Sequence, residues 1–337
     1  MILQKDLIQA FYHLSSKLDP SNQDLGDAIN QTFSNNSWLT PENYWKSINH
    51  WKSSLNKENI KDFIAKYSIA NNPKTIGIIM AGNIPMVGFH DLLCVLLMGH
   101  KAQIKLSSDD PYVIAYFIGV LKSINSNFKD RIIIADKLHS IDAVIATGSN
   151  NSYRYFESYF KHLPRLLRKN RKSIAVLDGT ETEIQLKSLA DDVFTYYGLG
   201  CRNVSQIFIP SDQSIEKVLD AMISHIDVIN HHKYANNYTY HKALLLMNNE
   251  QHLDTGFLLP KERRNLSAPL ACIHYDYYNS IDIVKNFIQE NKEQIQCIVG
   301  NYSTSDVVPF GKAQSPDLKD FADNINTLEF LSTLETS

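Results

Sequence analysis

The sequence predicts an α/β protein built from two parallel-sheet units behind an N-terminal helical segment. Three observations predict it. From residue 75 onward, short β-branched or apolar runs alternate with helical stretches, the pattern of βαβ units. The first seventy residues carry helical periodicity without a strand signal. The chain has 337 residues, enough for about two domains of roughly 150 residues each.

In the helical segment, Leu3, Leu7, Ile8, Phe11 and Leu14 recur at helical spacing. Thr40 followed by Pro41 is a helix start, with an N-cap hydroxyl and a preset first turn. Tyr44, Trp45, Ile48 and Trp51 then form an aromatic stripe suited to core packing. Strands are expected at 75–80, 102–106, 131–135 and 143–146, with helices at 87–99, from Pro111 to Leu121 and at 151–167. Beyond residue 172 the alternation resumes. It predicts strands at 173–177, 205–209, 243–247, 270–274 and 295–299, and helices at 182–197, 214–229 and 281–290. The expected boundary between the two α/β units lies near residue 172, giving residues 1–172, with the N-terminal helices, and residues 173–337, with Cys201 and a C-terminal tail.

Composition excludes several function classes. Apolar residues make up 44% and charged residues 20% of the chain, so a packed core is expected. Lysine plus arginine total 33 against 36 acidic residues, a balance that argues against a nucleic-acid binder. Cys94, Cys201, Cys272 and Cys297 lie far apart with no CxxC pair, so neither a zinc site nor a disulfide framework is expected. Reduced thiols in the cytoplasm are the default reading. The N-terminus lacks a secretory h-region, and no run approaches the roughly 18 apolar residues of a membrane span.

Several residues could carry chemistry. Asn83 follows the first strand in Gly77–Pro85, on the ligand edge of an open α/β sheet, with Gly82 free to let a ligand approach and Pro85 presetting the next helix. An Asx-turn is the competing reading for Asn83. Lys105 closes the second strand beside Ser107 and can reach a ribose hydroxyl or phosphate, or stay solvated. Thr147, Gly148 and Ser149 stand between a strand and a helix, where backbone N–H groups suit a phosphate. Cys201 is the most informative residue. It follows Gly198 and Gly200 on a loop, with Arg202 able to favour the thiolate, whereas the other three cysteines lie in apolar runs and read as core fillers. The basic run Arg165, Arg168, Lys169, Arg171 and Lys172 reads either as a solvated helix end or as a contact for a phosphate-rich ligand. His231, His232 and His241 lack metal-site spacing, and no metal is expected.

Taken in order, these segments resemble the aldehyde dehydrogenase superfamily, and within it the LuxC-type acyl-CoA reductases. The segment GIIMAGNIP resembles the turn bearing the oxyanion-hole asparagine, which implies that role for Asn83. AQIKLSSDDP resembles the segment whose lysine contacts the adenosine ribose or its 2′-phosphate, implying Lys105 with Ser107. ATGS at 146–149 resembles the dinucleotide-contacting turn, implying Thr147, Gly148 and Ser149. GLGCRNVSQIFIP resembles the nucleophile segment, implying Cys201. Residues 308–331 resemble the C-terminal Pro-Phe-Gly segment and LuxC-type ending. The resemblance spans roughly residue 75 to the C-terminus and implies the aldehyde dehydrogenase-like two-domain fold.

The departures are informative. Oxidising members carry a glutamate in a Glu-Leu-Gly-Gly-Lys segment, whereas the comparable stretch here, Arg168 to Lys172, has no acid. Without a base to activate water, an acyl-enzyme would survive for hydride or thiol attack. The Glu-x-Phe-Gly-Pro glutamate is also missing from Asn265 to Pro269, and the chain is short for the superfamily, leaving little room for an oligomerisation hairpin. The expected function is reduction of a long-chain fatty acyl-CoA to the aldehyde through an S-acyl-Cys201, with NADPH, or NADH, as cofactor. An acyl-protein synthetase partner and a homo-oligomer follow from the resemblance. The alternatives are an acyltransferase or thioesterase using the same cysteine, or a non-catalytic subunit of an acyl-handling complex.

Overall fold

The computed structural model describes residues 3–301 and 307–334. It divides into two compact units, residues 1–170 with 317–337, and residues 171–316.

In the first unit, α1 (Gln4–Lys17), α2 (Gln23–Asn35), α3 (Pro41–Ser54) and α4 (Lys57–Ile64) precede the sheet. The expected start of α3 holds, because the Thr40 hydroxyl accepts from the Asn43 N–H at 3.3 Å. The sheet is built by β1 (Thr75–Ile79), α5 (Phe89–Leu97), β2 (Lys101–Lys105), α6 (Tyr112–Ile124), β3 (Ile132–Ile134), β4 (Ala143–Thr147), α7 (Asn150–Tyr159) and β5 (Arg165–Arg168). All five strands are parallel, in the order β3-β2-β1-β4-β5. The chain runs outward from β1 through β2 to β3, then returns to the other side of β1 with β4. The β1–β4 boundary is therefore a topological switch point, where open parallel sheets hold ligands at their carboxyl edge.

The second unit contains β6 (Lys172–Val176), α8 (Glu183–Phe194), β7 (Val204–Pro210), α9 (Ile215–Met222), α10 (His232–Met247), β8 (Leu259–Glu262), β9 (Cys272–Tyr278), α11 (Ile281–Glu290), β10 (Ile295–Gly300) and β11 (Val307–Val308). Among the described residues its strands are again parallel, in the order β11-β10-β6-β7-β9-β8. Ile174, Val176, Phe208, Val284 and Phe287 form a core between the sheet and α11. A final helix, α12 (Thr327–Thr333), belongs to the first unit. No helix among the described residues is long and apolar enough to cross a membrane.

Four expectations need correction. Residues 243–247 are not a strand but the last turns of α10. A five-residue apolar run does not distinguish the two states, and Ala, Leu and Met favour a helix once one is under way. The helix expected over 151–167 ends at Tyr159, and Arg165–Arg168 is the edge strand β5, because Pro164 and a short apolar pair suit an edge better than a helix end. The helix expected from Val87 begins only at Phe89, so Pro85 presets no helical turn. Met86 (φ 65°) and Gly88 (φ 88°) take left-handed backbone there, and a Cβ on Gly88 would meet Met80 Cγ at 2.5 Å.

The fourth correction concerns the tail. The expected division at 172/173 assigns it to the cysteine unit, yet residues 317–334 pack on the first. Leu318, Leu328, Leu331 and Leu334 join the core of α1 to α6, and His90 Nε2 lies 2.8 Å from the Leu318 carbonyl. An apolar helix face specifies that it must be covered, not by which unit.

Candidate active site

Cys201 sits half-buried on the loop between α8 and β7. The loop leaves α8 through three successive left-handed residues, Tyr196 (φ 55°), Tyr197 (φ 57°) and Gly198 (φ 77°). For a residue with a side chain this costs on the order of 1 kcal/mol or more, so something must hold it. Asn203, only 3% exposed, does. Its Nδ2 donates to the carbonyls of Asp192 (3.1 Å), Val193 (3.1 Å) and Thr195 (2.9 Å), and its Oδ1 accepts from the Gly200 N–H at 2.8 Å. From the other side the Tyr197 ring packs on His231 and Tyr234 of α10, with centroids 4.4 and 6.3 Å apart. The Asp192 carboxylate accepts from the N–H groups of Gly311 (2.6 Å) and Ala313 (2.9 Å), tying the Pro-Phe-Gly segment to the same helix.

The cysteine itself is anchored from β6 and β10. Ser173 Oγ donates to the Cys201 carbonyl at 3.0 Å and accepts from the Cys297 N–H at 3.2 Å, with the Cys297 thiol 3.1 Å away. Next to Ser173, Lys172 is half-buried and makes no ion pair with a carboxylate among the described residues. Burial holds its ammonium below the usual lysine range, and a Cys201 charge acts in the opposite direction. The Arg202 charge lowers the Cys297 thiol, against the effect of burial. Burial pushes the other three thiols up: Cys94 well above the usual range, Cys272 to about 12 and Cys297 to about 11.

In the first unit, the segments expected to hold a dinucleotide gather at one sheet edge. Ile79 is in register with Lys105 on one side and Ala146 on the other. Asn83, Lys105 with Ser107, and Thr147-Gly148-Ser149 thus follow the carboxyl ends of three adjacent strands across the switch point. Gly82 lets the segment after β1 and the Ser107 turn approach closely, since a Cβ there would lie 2.6 Å from Ser107 Oγ and displace it. Asn83 is exposed, as is Lys105, whose ammonium has no carboxylate partner among the described residues. Ser149 caps α7, its hydroxyl accepting from the Ser152 N–H at 3.2 Å. Asn83 belongs to the first unit and Cys201 to the second.

The basic run is neither a solvated helix end nor a single anion site. Arg168 is buried against Asp91 and also donates to the Ala322 carbonyl at 2.6 Å and the Thr327 hydroxyl at 3.0 Å. Arg171 donates to the Ile295 carbonyl, Arg165 to the Lys161 carbonyl, and Lys169 lies over the Tyr153 ring at 4.8 Å. The run straddles the boundary between the units, so its side chains serve different partners. Sequence reasoning also missed Ser173, Asp192 and Asn203. A buried polar residue that satisfies backbone groups carries no motif.

Residues 52–255 match the LuxC family, described as acyl-CoA reductase. No curated protein sequence matches the chain. Among solved structures, aldehyde dehydrogenase from Bacillus cereus, in complex with NAD+, is 11% identical, covering 90% of this chain and 73% of that one at a TM-score of 0.63. Aldehyde dehydrogenase 21 from Physcomitrella patens, in complex with succinate, is 8% identical, covering 99% and 84% at a TM-score of 0.70. An NAD-dependent benzaldehyde dehydrogenase from Corynebacterium glutamicum is 12% identical, covering 90% and 77% at a TM-score of 0.66. These likenesses establish the aldehyde dehydrogenase fold expected from the sequence.

Proposed function

The chain belongs to the LuxC acyl-CoA reductase family, and on that premise we propose that it reduces a long-chain fatty acyl thioester to the aldehyde through a thioester on Cys201. The observation that supports this reading most is the setting of Cys201, a half-buried thiol on a stapled loop beside the half-buried cation of Lys172. A nearby cation favours the thiolate, which is the nucleophilic form. Cys201 Sγ attacks the acyl carbonyl, a tetrahedral oxyanion forms, and coenzyme A departs as its thiolate. The Cys201 backbone N–H and, by motif resemblance, the Asn83 amide are the donors to that oxyanion. Such a donor is worth about 3 kcal/mol in other enzymes.

Lys105, Ser107, Thr147, Gly148 and Ser149 fit a nicotinamide dinucleotide. An ammonium with no carboxylate partner, hydroxyls and a helix start converge at a switch point, the donor set a ribose and pyrophosphate need. When bound, the cofactor supplies the hydride that takes the acyl group to the aldehyde level. Cys201 then leaves as a thiolate, its charge again beside Lys172. The stretch 168–172 carries no carboxylate to activate water, which favours reduction over hydrolysis, and its Arg168 is engaged with Asp91. With Arg168 so engaged, the preference for NADPH over NADH rests on Lys105 and the resemblance. Four free cysteines suit a reducing cytoplasm. An acyl-protein synthetase donor and self-association remain part of the proposal by resemblance.

The deciding experiment measures NADPH oxidation across acyl-CoA chain lengths, with Cys201→Ser as control. The variant should lose both reduction and covalent labelling by radiolabelled acyl-CoA. Reduction retained in Cys201→Ser would overturn the mechanism.

A further inference from the structure

The β8–β9 edge and α10 line a cavity that contains none of the residues assigned above to the reaction. In the parallel ladder Leu259 is opposite Cys272 and Lys261 opposite His274. Alternation along a strand therefore turns Leu259, Lys261, Cys272 and His274 to one face. Arg263 extends that face, its N–H continuing the ladder to the Tyr275 carbonyl at 2.8 Å. On α10 and its C-cap, His241, Leu244, Leu245 and Asn248 stand at i, i+3, i+4 and i+7, a single helix face, and they line the same cavity. Its volume is about 180 Å³; an apolar cavity of about 150 Å³ takes up a benzene-sized molecule.

The walls differ in character. Leu244 and Leu245 make the α10 side apolar. On the other side Lys261 is paired with Glu250, so its charge is matched. Arg263 is exposed and its guanidinium has no ion pair or hydrogen bond among the described residues. His274 is 4% exposed, and its Nδ1–H donates to the Asn265 carbonyl at 2.6 Å. That bond fixes the tautomer and leaves Nε2 without a hydrogen bond among the described residues. No group of three His, Cys, Asp or Glu side chains among the described residues is placed to hold a metal ion.

We infer that this cavity binds a small carboxylate with a short apolar tail, the carboxylate on Arg263 and the tail between the α10 leucines and Leu259. Guanidinium pairs with carboxylate through two parallel N–H···O bonds, and the leucine wall rejects an anion without a tail. The Cys272 thiol, expected to be a core filler, lines this cavity instead.

Titration calorimetry of the full chain with hexanoate tests the inference. Saturable binding is expected at millimolar concentrations or below, weakened ten- to hundredfold by Arg263→Gln and retained by Arg263→Lys. Leu245→Trp fills the tail space without altering charge and should abolish binding while circular dichroism and thermal midpoint stay native. Cys201→Ala should bind hexanoate as the parent does, which separates this site from the nucleophile. No saturable binding, equal affinity in Arg263→Gln, or binding that survives Leu245→Trp would each overturn the proposal. So would tighter binding of acetate or inorganic phosphate than of hexanoate.

Discussion

The Asn203 side chain accepts from the Gly200 N–H at 2.8 Å while its amide donates to three carbonyls of the α8 end. One buried amide thus satisfies four backbone groups of a loop that its own φ angles make unfavourable. Asn203→Ala removes these hydrogen bonds, at about 0.5–1.5 kcal/mol for each. The expected outcome is a loss of reductase activity of tenfold or more together with a lower urea midpoint. Asn203→Asp should behave similarly, because a carboxylate cannot donate to the three carbonyls. An active Asn203→Ala enzyme would show that the loop holds itself.

Lys172 makes a prediction about Cys201 chemistry. Removing the cation in Lys172→Gln should shift the pH profile of Cys201 alkylation by iodoacetamide to higher pH. A shift of one pH unit corresponds to about a tenfold slower reaction at pH 7. Lys172→Arg should restore the profile. Peptide mapping distinguishes Cys201 from Cys94, Cys272 and Cys297, which react slowly because burial keeps them protonated.

Lys105→Ala should raise KM for NADPH severalfold while leaving kcat nearly unchanged, the signature of lost uniform binding. A smaller effect with NADH would tie Lys105 to the 2′-phosphate. Equal effects on both cofactors would place it on the ribose.

The buried Arg168–Asp91 pair predicts a stability effect. Asp91→Ala leaves the guanidinium uncompensated, and breaking such a pair costs about 3–5 kcal/mol. Chemical denaturation followed by circular dichroism should show the loss, and the Asp91→Ala, Arg168→Met double variant should recover part of it.

Asp110 gives a pH dependence. Burial raises its carboxyl from 3.8 to about 6, against the hydrogen bond it accepts from Tyr44. The folded state holds the proton more tightly than the unfolded chain. Asp110 therefore favours folding fully below pH 3.8, and that contribution disappears as pH rises through 6, by about 3 kcal/mol. Asp110→Asn keeps an acceptor for Tyr44 and should flatten the fall in urea midpoint between pH 4 and 8.

Most strands of both units were legible, because β-branched runs such as Thr75–Ile79 and Ala143–Thr147 are buried on both faces and read as unbroken apolar stretches. Residues 243–247 and 165–168 were not, because short apolar runs suit either state until a neighbour decides. The residues at the carboxyl edge of the first sheet were legible as strand ends. Arg168 was not, since a buried ion pair with Asp91, 77 positions away, leaves no local pattern.

By itself the sequence determined the α/β class, the strand alternation, the resemblance and the one cysteine on a glycine-flanked loop, all properties written in local spacing. Only the tertiary structure decided which unit the tail covers, that Lys172 and Ser173 attend Cys201, that Asn203 holds its loop, and that Cys272 lines a cavity. These depend on contacts between residues distant in the chain, and burial with hydrogen bonding, not spacing, selects them.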